Sequence, residues 1–304
     1  MSKIDHSIDP SNAVLQSLQL PEFLMKSLKV DVLRLDTIYP VVSGNKWFKL
    51  KYYLQEAQEK HVDTIITFGG AWSNHIIATA YFSRLYGFRA IGIIRGERPT
   101  KLSQTLLDAQ EYGMVLEFIS RDLYSRKNID GLNKIFEEGF GELYFIPEGG
   151  AGFPGIRGSK EILDLVEISG YTHIMCCIGT GTMYAGLITS ALPHQEVIGV
   201  QVLKGMESAP KQIMGIGHER AKGKIMYNYH FGGYAKKTNE LIQFINNFYS
   251  RTGIPTDFVY TGKLLFAFSD LVSKNYFPTG SSILIIHSGG LQGNASLPEG
   301  TLLF

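Results

Sequence analysis

The sequence predicts an α/β protein with two open, mostly parallel twisted sheets that are flanked by helices. Short apolar runs alternate with longer segments of helical periodicity over most of the 304 residues. The runs are roughly 4–8 residues long, and several end in turns rich in glycine. Continuous apolar runs of this length are typical of parallel strands that are buried on both faces. The length allows one large domain or two small ones.

Seven apolar runs give the expected strands, which are 64–68, 90–95, 115–120, 143–146, 173–178, 196–203 and 282–287. One helix is expected to begin in the segment 43–51 and to end at about residue 59. Two more follow the Gly-rich turns after the strands 64–68 and 173–178, and they end at residue 84 and at about residue 192. The remaining helices are expected over 102–112, 129–138, 239–249 and 263–272. We expect residues 52–150 to form a smaller α/β domain. Residues 1–51 and 151–304 then form a larger domain that binds the ligand.

The charge and the cysteines narrow the class of protein. The chain has 29 Lys and Arg against 28 Asp and Glu, so it lacks the basic surface of a nucleic-acid binder. Cys176 and Cys177 are adjacent and cannot easily bridge each other, which favours a reducing compartment. The N-terminal residues lack the apolar core of a signal peptide. No apolar run approaches the roughly 18 residues of a membrane span. We therefore expect a cytoplasmic protein without a membrane partner.

Four turns that follow expected strands are rich in Gly, Ser or Thr, namely 69–75, 147–152, 179–182 and 287–293. Ligands of open α/β sheets bind beyond the carboxyl ends of the strands. If these turns converge, the active site lies in the cleft between the two domains. The chain has no HExxH or GxSxG motif, and the segment 217–224 does not match the P-loop motif. The His and Cys residues of the chain lack the spacing of metal ligands. No metal site is expected.

The segment 43–51, SGNKWFKLK, combines two lysines with the start of a helix. Lys46 and Lys49 are three residues apart and therefore lie on one helix face. The positive end of a helix disfavours a protonated lysine. A lysine with a lowered pKa is what a Schiff-base nucleophile requires. The alternative is a basic helix surface, and spacing alone favours that alternative.

The segment IGTGT after the strand 173–178 suggests a phosphate cup. Its glycines let the backbone approach a phosphate, and Thr180 and Thr182 add hydroxyls. It is not a dinucleotide fingerprint, because Tyr184 stands where the third Gly belongs. The segment 69–75, GGAWSNH, could hold a carboxylate through its amides and its hydroxyl. The alternatives are that the segment IGTGT is a plain tight turn and that His75, Tyr234 and Tyr260 have structural roles.

Six segments occur in the order SGNKWFKL, FGGAWSNH, IPEGG, GTGT, VYTGK and HSGGLQG. Together they resemble the 1-aminocyclopropane-1-carboxylate deaminase/D-cysteine desulfhydrase family of pyridoxal-phosphate (PLP) enzymes, which have the tryptophan-synthase-β fold. The resemblance runs from Leu33 to about Gly293. It implies PLP as the cofactor, a small amino acid as the substrate and a homodimer as the assembly.

The resemblance also implies roles for individual residues. Lys46 would bond to the cofactor and move protons, and Lys49 would support the phosphate side of the site. Ser73 would act beside the substrate. The carboxylate of the substrate would be bound by Ser73, Asn74 and His75, and Asn74 would also bond the ring hydroxyl of PLP. The phosphate would be held by Gly179, Thr180, Gly181 and Thr182, while Tyr260 stacks on the ring and Tyr234 approaches the substrate.

Two positions separate the branches of this family. The ring-opening deaminases carry Glu where Thr261 stands, facing the pyridine nitrogen, and Leu where Ser288 stands. The desulfhydrases carry hydroxyl residues at both positions. A Glu keeps the ring nitrogen protonated and strengthens the electron sink, whereas a hydroxyl leaves the ring neutral. Expelling a thiolate needs less of a sink than opening a carbon ring, so this comparison favours β-elimination.

We therefore expect a PLP-dependent lyase that acts as a D-cysteine desulfhydrase. The alternatives are 1-aminocyclopropane-1-carboxylate deamination and elimination from another β-substituted amino acid. Remoter alternatives are a non-catalytic PLP or amino-acid binder and a nucleotide-binding oxidoreductase. Two residues depart from the family pattern, since Phe48 replaces an Arg and Leu35 replaces an acidic residue.

Overall fold

A computed structural model describes residues 9–39, 42–126, 132–205 and 221–304, with the backbone alone at 132–135. The first residues of the helix expected over 129–138 and the first half of the segment 217–224 lie outside these ranges. The strands are β1 Val14–Ser17, β2 Lys29–Arg34, β3 Thr64–Gly69, β4 Arg89–Arg95, β5 Met114–Ile119, β6 Tyr144–Ile146, β7 His173–Ile178, β8 Glu196–Gln201, β9 Lys222–Met226 and β10 Ser282–His287. The helices are α1 Pro21–Leu24, α2 Lys46–Glu59, α3 Asn74–Leu85, α4 Gln104–Glu111, α5 Arg121–Ser125, α6 Leu132–Phe140, α7 Phe153–Lys160, α8 Thr182–Ser190, α9 Asn239–Thr252 and α10 Thr261–Ser273.

The described strands form two sheets, which confirms the expected fold class. The larger sheet has the order β1-β2-β10-β7-β8-β9, and the smaller sheet has the order β5-β4-β3-β6. All neighbours are parallel except β1, which runs antiparallel to β2. The strands of the smaller sheet all lie between residues 64 and 146. The domain boundaries at residues 51/52 and 150/151 stay a prediction.

Strand β2 lies inside the larger sheet, yet the apolar pattern does not reveal it. Asp31 interrupts its apolar run and is buried. The Asp31 carboxylate is satisfied by the hydroxyl of Tyr171, which donates a hydrogen bond of 2.7 Å, and by the hydroxyl of Ser17 on β1. A buried carboxylate is tolerated when hydrogen-bond donors surround it. The sequence did not reveal these donors, because they come from distant segments.

Helix α7 is a second element that the sequence did not predict, because two glycines interrupt its helical pattern. The structure explains both, since a Cβ on Gly155 would lie 2.0 Å from the carbonyl oxygen of Gly150. A Cβ on Gly158 would lie 1.7 Å from the carbonyl oxygen of Phe48, so α7 touches the backbone of α2. Phe48 and Leu35, the two departures from the family pattern, are both buried in the core of the larger sheet. Both are packing positions in this chain.

Two further observations concern the expected location of the protein. Cys176 and Cys177 are buried free thiols, and no disulfide joins them. Among the described residues, none of the helices has both the length and the apolar character that crossing a membrane requires. The cytoplasmic compartment itself stays a prediction.

Candidate active site

The start of α2 is pressed against the turn that follows β10. The backbone N–H of Asn45 donates to the carbonyl oxygen of Ser288 at 2.9 Å. Gly44 has a positive φ of 86°, and a Cβ there would lie 1.9 Å from the same carbonyl oxygen. Only glycine tolerates both conditions at this position. This contact fixes Lys46 at the carboxyl end of β10.

The side chains of Ser43 and Asn45, at the start of α2, bond to other parts of the site and do not cap the helix. Asn45 occupies the N-cap position without a side-chain cap bond. Its Oδ1 instead accepts a hydrogen bond of 2.7 Å from Nζ of Lys46. The hydroxyl of Ser43 accepts from the N–H of Gly290 at 3.1 Å. Both side chains therefore organise the site around Lys46.

Two amines in the site have lowered pKa values. Burial lowers the pKa of Lys46 from 10.5 to about 8, against the opposing influence of Cys177 and Asp257. Burial and then the charge of Lys46 lower the pKa of Lys49 to about 7. The main cause is burial and not the helix end, because desolvation penalises the ammonium form. Both amines therefore have a substantial neutral fraction near neutral pH.

This lowered pKa predicts how fast Lys46 reacts with an aldehyde. The neutral amine is the nucleophile, and its fraction rises about tenfold between pH 7 and pH 9 for a pKa of about 8. We expect the rate of covalent PLP attachment to cofactor-free protein to rise by about the same factor over this range. Stopped-flow absorbance at several pH values measures this rate. A rate that keeps rising steeply up to pH 10.5 would contradict the lowered pKa.

The segment 69–75 follows β3 of the smaller sheet and contacts the turn after β10 of the larger sheet. The hydroxyl of Ser73 caps α3 by accepting from the N–H groups of His75 and Ile76 at 3.2 and 3.3 Å. Nδ2 of Asn74 donates to the carbonyl oxygen of Gly290 at 2.9 Å. Oδ1 of Asn74 is buried and has no hydrogen-bond partner within the described residues. An unpaired buried acceptor is costly, so it indicates a bound donor group.

The imidazole of His75 is held by β3. Its Nε2 lies 2.8 Å from the hydroxyl of Thr67, which itself donates to the carbonyl oxygen of Ile146 at 2.7 Å. Because that hydroxyl has one proton, Nε2 must be the donor to Thr67. Burial and the charges of Lys46 and Lys49 lower the pKa of His75 to about 3. His75 is therefore neutral and cannot bind a carboxylate as an ion pair.

The turn 179–182 forms a cup at the start of α8. Gly181 has a positive φ of 86° and precedes the first helical residue, Thr182. The hydroxyls of Thr180 and Thr182 are 2.9 Å apart. The turn after β6 closes the cup from the side, since a Cβ on Gly149 would lie 2.9 Å from Cγ2 of Thr180. A helix start lined by amides and hydroxyls suits a phosphate.

The aromatic pair lies beside this cup. A Cβ on Gly179 would lie 3.2 Å from Cε1 of Tyr260, so the Tyr260 ring covers the backbone there. The rings of Tyr260 and Tyr234 are 6.3 Å apart between centroids, and their planes meet at 67°. Tyr234 is 40% exposed. Burial raises the pKa of the Tyr260 phenol, which therefore stays protonated at neutral pH.

The hydroxyls at positions 261 and 288, the two positions that separate the branches of the family, have different partners. Thr261 is completely buried, and its hydroxyl donates to Oδ1 of Asp257 at 2.7 Å. The hydroxyl of Ser288 lies 3.3 Å from Sγ of Cys177. Burial raises the pKa of this thiol, so Cys177 stays neutral. Thr261 is thus tied to a carboxylate, and Ser288 is tied to a weak thiol partner.

Sequence reasoning missed Asp257 and Gln201. Asp257 stands just before the Tyr260–Thr261 pair, at a spacing typical of side-chain bonds to a helix start, and that spacing could have revealed it. Gln201 ends β8 and pairs with Ile178, the residue before the cup. Within the described residues, neither polar atom of its buried carboxamide has a hydrogen-bond partner. No sequence pattern marks it.

The geometry defines a class of enzyme. Lys46 has an amine of lowered pKa that donates to Oδ1 of Asn45, Asn74 offers an unpaired acceptor, and the cup suits a phosphate. A phosphorylated aldehyde that also carries a ring hydroxyl fits these three features, and PLP is such a molecule. The fold and the site therefore fit the class of enzymes that use a phosphorylated aldehyde cofactor.

The chain belongs to the pyridoxal-phosphate dependent enzyme family, whose pattern its residues 20–289 match. It is 34% identical over 278 residues to a putative 1-aminocyclopropane-1-carboxylate deaminase of Pyrococcus abyssi, covering 83% of this chain and 81% of that protein. It is 28% identical to the mitochondrial bifunctional D-cysteine desulfhydrase/1-aminocyclopropane-1-carboxylate deaminase of Arabidopsis thaliana, covering 83% and 70%. The crystal structure of an ACC (1-aminocyclopropane-1-carboxylate) deaminase homologue superimposes on this chain with a TM-score of 0.82 and 27% identity. The superposition covers 95% of this chain and 92% of that one. PLP is thus the cofactor of this family of enzymes.

Proposed function

We propose that this protein catalyses PLP-dependent β-elimination on a small amino acid, with D-cysteine as the first substrate to test. One D-cysteine and one water would give pyruvate, hydrogen sulfide and ammonia. The observation that carries the proposal is the Lys46 amine, which has a pKa of about 8 and donates to Oδ1 of Asn45, the residue whose N–H is bonded to the turn after β10. Bound PLP would supply an electron sink for the carbanion that forms when the α-proton is removed.

The residues of the chain would divide the remaining work. Nζ of Lys46 would hold the cofactor and then accept the α-proton once the substrate amine has displaced it. The hydroxyl of Ser73 accepts two backbone N–H groups, so its own proton is free to donate to the substrate. The cup residues Thr180 and Thr182 would orient the phosphate. Asn74 would accept the proton of the ring hydroxyl through its unpaired Oδ1.

Ring-opening deamination of 1-aminocyclopropane-1-carboxylate is the second candidate. The name of the relative in Pyrococcus abyssi favours it, and the name of the relative in Arabidopsis thaliana covers both reactions. That reaction would give 2-oxobutanoate and ammonia from one substrate and one water. Thr261 and Ser288 stand where the resemblance places Glu and Leu in such deaminases. Their hydroxyls are the reason why we place elimination first.

Product analysis separates these candidates. We expect purified protein with PLP to release sulfide and pyruvate from D-cysteine with a kcat/KM at least about tenfold above that for 2-oxobutanoate release. L-cysteine and a β-substituted serine derivative test the enantiomer and the leaving group. Release of 2-oxobutanoate alone would establish the second candidate. Bound PLP without any product would indicate a non-catalytic binder.

The assembly and location are also proposals. We propose a cytoplasmic homodimer, since the resemblance supports the dimer and the buried free thiols of Cys176 and Cys177 fit a reducing compartment. The site residues described above come from a single chain. Light scattering of the protein at micromolar concentration measures the assembly directly.

A further inference from the structure

Lys263 is a completely buried lysine in the first turn of α10, and the proposed mechanism gives it no role. Burial and the positive end of a helix both disfavour a protonated amine. Burial lowers the pKa of Lys263 from 10.5 to about 8, against the opposing influence of Asp257. Most of these amines are therefore still protonated at neutral pH. A residue that breaks two local rules at one position points to a compensating contact.

Two backbone carbonyl groups supply that contact. The amine of Lys263 donates to the carbonyl oxygens of His230 and Gly233 at 2.9 and 2.8 Å. The same two oxygens close the turn on itself. That of His230 accepts from the N–H of Gly233 at 2.9 Å, and that of Gly233 accepts from the N–H of Lys236 at 3.2 Å. Lys263 therefore ties both ends of the turn 230–233 to the start of α10.

The backbone of this turn is strained. A positive φ occurs at four positions, with 51° at Phe231, 91° at Gly232, 122° at Gly233 and 51° at Ala235. Residues other than glycine rarely adopt a positive φ. Such conformations persist only where the surrounding structure holds them, and they cluster at functional sites. The two bonds from the buried amine provide a constraint of this kind.

The strained turn carries Tyr234 to the site. The Tyr234 ring lies 6.3 Å from the ring of Tyr260, measured between centroids. Tyr260 immediately precedes α10 and covers the backbone of Gly179 in the cup. Lys263 joins the turn to the helix that Tyr260 precedes. The same contact therefore sets the distance between the two tyrosine rings.

We propose that Lys263 is a positioning residue, whose amine holds the turn 230–235 in the strained form that presents Tyr234 to the substrate. This inference rests on the proposed function, from which it takes the approach of Tyr234 to the substrate. Lys263 acts through Tyr234 and not through a contact of its own with the reacting atoms. Without the amine, the turn relaxes and the Tyr234 phenol moves away from Tyr260.

A double-mutant cycle tests whether Lys263 acts through Tyr234. Lys263→Met keeps a side chain of similar length without a donor, and we expect it to lower the kcat/KM of the PLP-loaded protein about 10–100-fold. We expect Tyr234→Phe to lower it to a similar extent. Because both changes remove the same function, the double variant should be within about twofold of the slower single variant.

Two outcomes of the cycle would overturn the inference. Losses that multiply in the double variant would show that Lys263 acts independently of Tyr234. Wild-type activity of either single variant would show that the turn positions no group that the reaction needs. Lys274→Met is the matched control, because its exposed amine lies at the opposite end of α10. It should keep the wild-type kcat/KM.

Hydrogen exchange of the turn needs no activity assay. In the PLP-loaded wild type, we expect the N–H groups of Gly233 and Lys236 to exchange at least about tenfold more slowly than in an unfolded peptide. Lys263→Met should remove this protection, and Lys263→Gln, which keeps a donor without the charge, should remove part of it. Exchange in β7 is the internal reference and should not change.

These measurements separate the inference from the proposed function. A wild type that releases no product from any amino acid contradicts the proposed function, whereas the exchange of the turn still tests Lys263. Unprotected N–H groups at Gly233 and Lys236 in the wild type would overturn the inference alone. So would equal protection in the wild type and in the Lys263 variants. Lys263→Gln decides this if Lys263→Met does not fold.

Discussion

Replacing Lys46 by alanine is expected to abolish covalent cofactor binding and to lower the turnover of any amino-acid substrate at least about 10³-fold. The amine is both the point of attachment and the base in the proposed mechanism, and a positioned base alone contributes about 10²–10⁴. Visible absorbance after loading with PLP, together with mass spectrometry after borohydride reduction, checks attachment. Product assays check turnover.

Lys60→Ala is the matched control for this experiment. Lys60 immediately follows α2, where its exposed amine lies 5.3 Å from the centre of the Tyr144 ring and far along the helix from Lys46. We expect this variant to bind PLP and turn over substrate as the wild type does. Retained colour and activity in Lys46→Ala would show that another amine, of which Lys49 is the nearest along the helix, carries the cofactor.

The alternating strands and helices of the two sheets were predicted from the sequence. Elements whose burial depends on distant partners were not. The strands β3–β8 and β10 were predicted because parallel strands covered on both faces are continuously apolar. Strand β2 was not, because the burial of Asp31 depends on hydroxyl donors from other segments, those of Tyr171 and Ser17. Helix α7 was not, because Gly158 serves a backbone contact with α2 and weakens the helical pattern.

In the candidate site, too, the features that local patterns mark were predicted, and those that depend on distant segments were not. Glycine-rich turns after strands predicted the cup and the turn after β10, since ligand loops in α/β proteins occupy these places. The pattern predicted a lowered lysine pKa from the helix end, whereas burial is the main cause of the lowered pKa of Lys46. Burial and the charges of Lys46 and Lys49, which keep His75 neutral, were not predicted. The pattern also did not reveal that the Thr261 hydroxyl donates to the buried carboxylate of Asp257.

Replacing Gly44 by alanine is expected to destabilise the protein by about 2–5 kcal/mol and to weaken PLP binding at the same time. A side chain at a positive φ costs about 1–2 kcal/mol. The added methyl group would also lie 1.9 Å from the carbonyl oxygen of Ser288 and 2.7 Å from Cα of Gly289, so the two backbones must separate. That movement breaks the bond from Asn45 to Ser288 and displaces Lys46 from the site.

Gly170→Ala distinguishes this contact from a general effect of removing glycine. A Cβ at Gly170 meets nothing within 4 Å, and its φ lies outside the positive range. We expect this variant to unfold in urea at the wild-type midpoint or slightly above it, since alanine restricts the unfolded chain. Equal midpoints and equal PLP affinities for Gly44→Ala and the wild type would contradict the contact between α2 and the turn after β10. The site depends on that contact, because it is the route by which the backbone brings the Lys46 amine to the carboxyl end of the larger sheet.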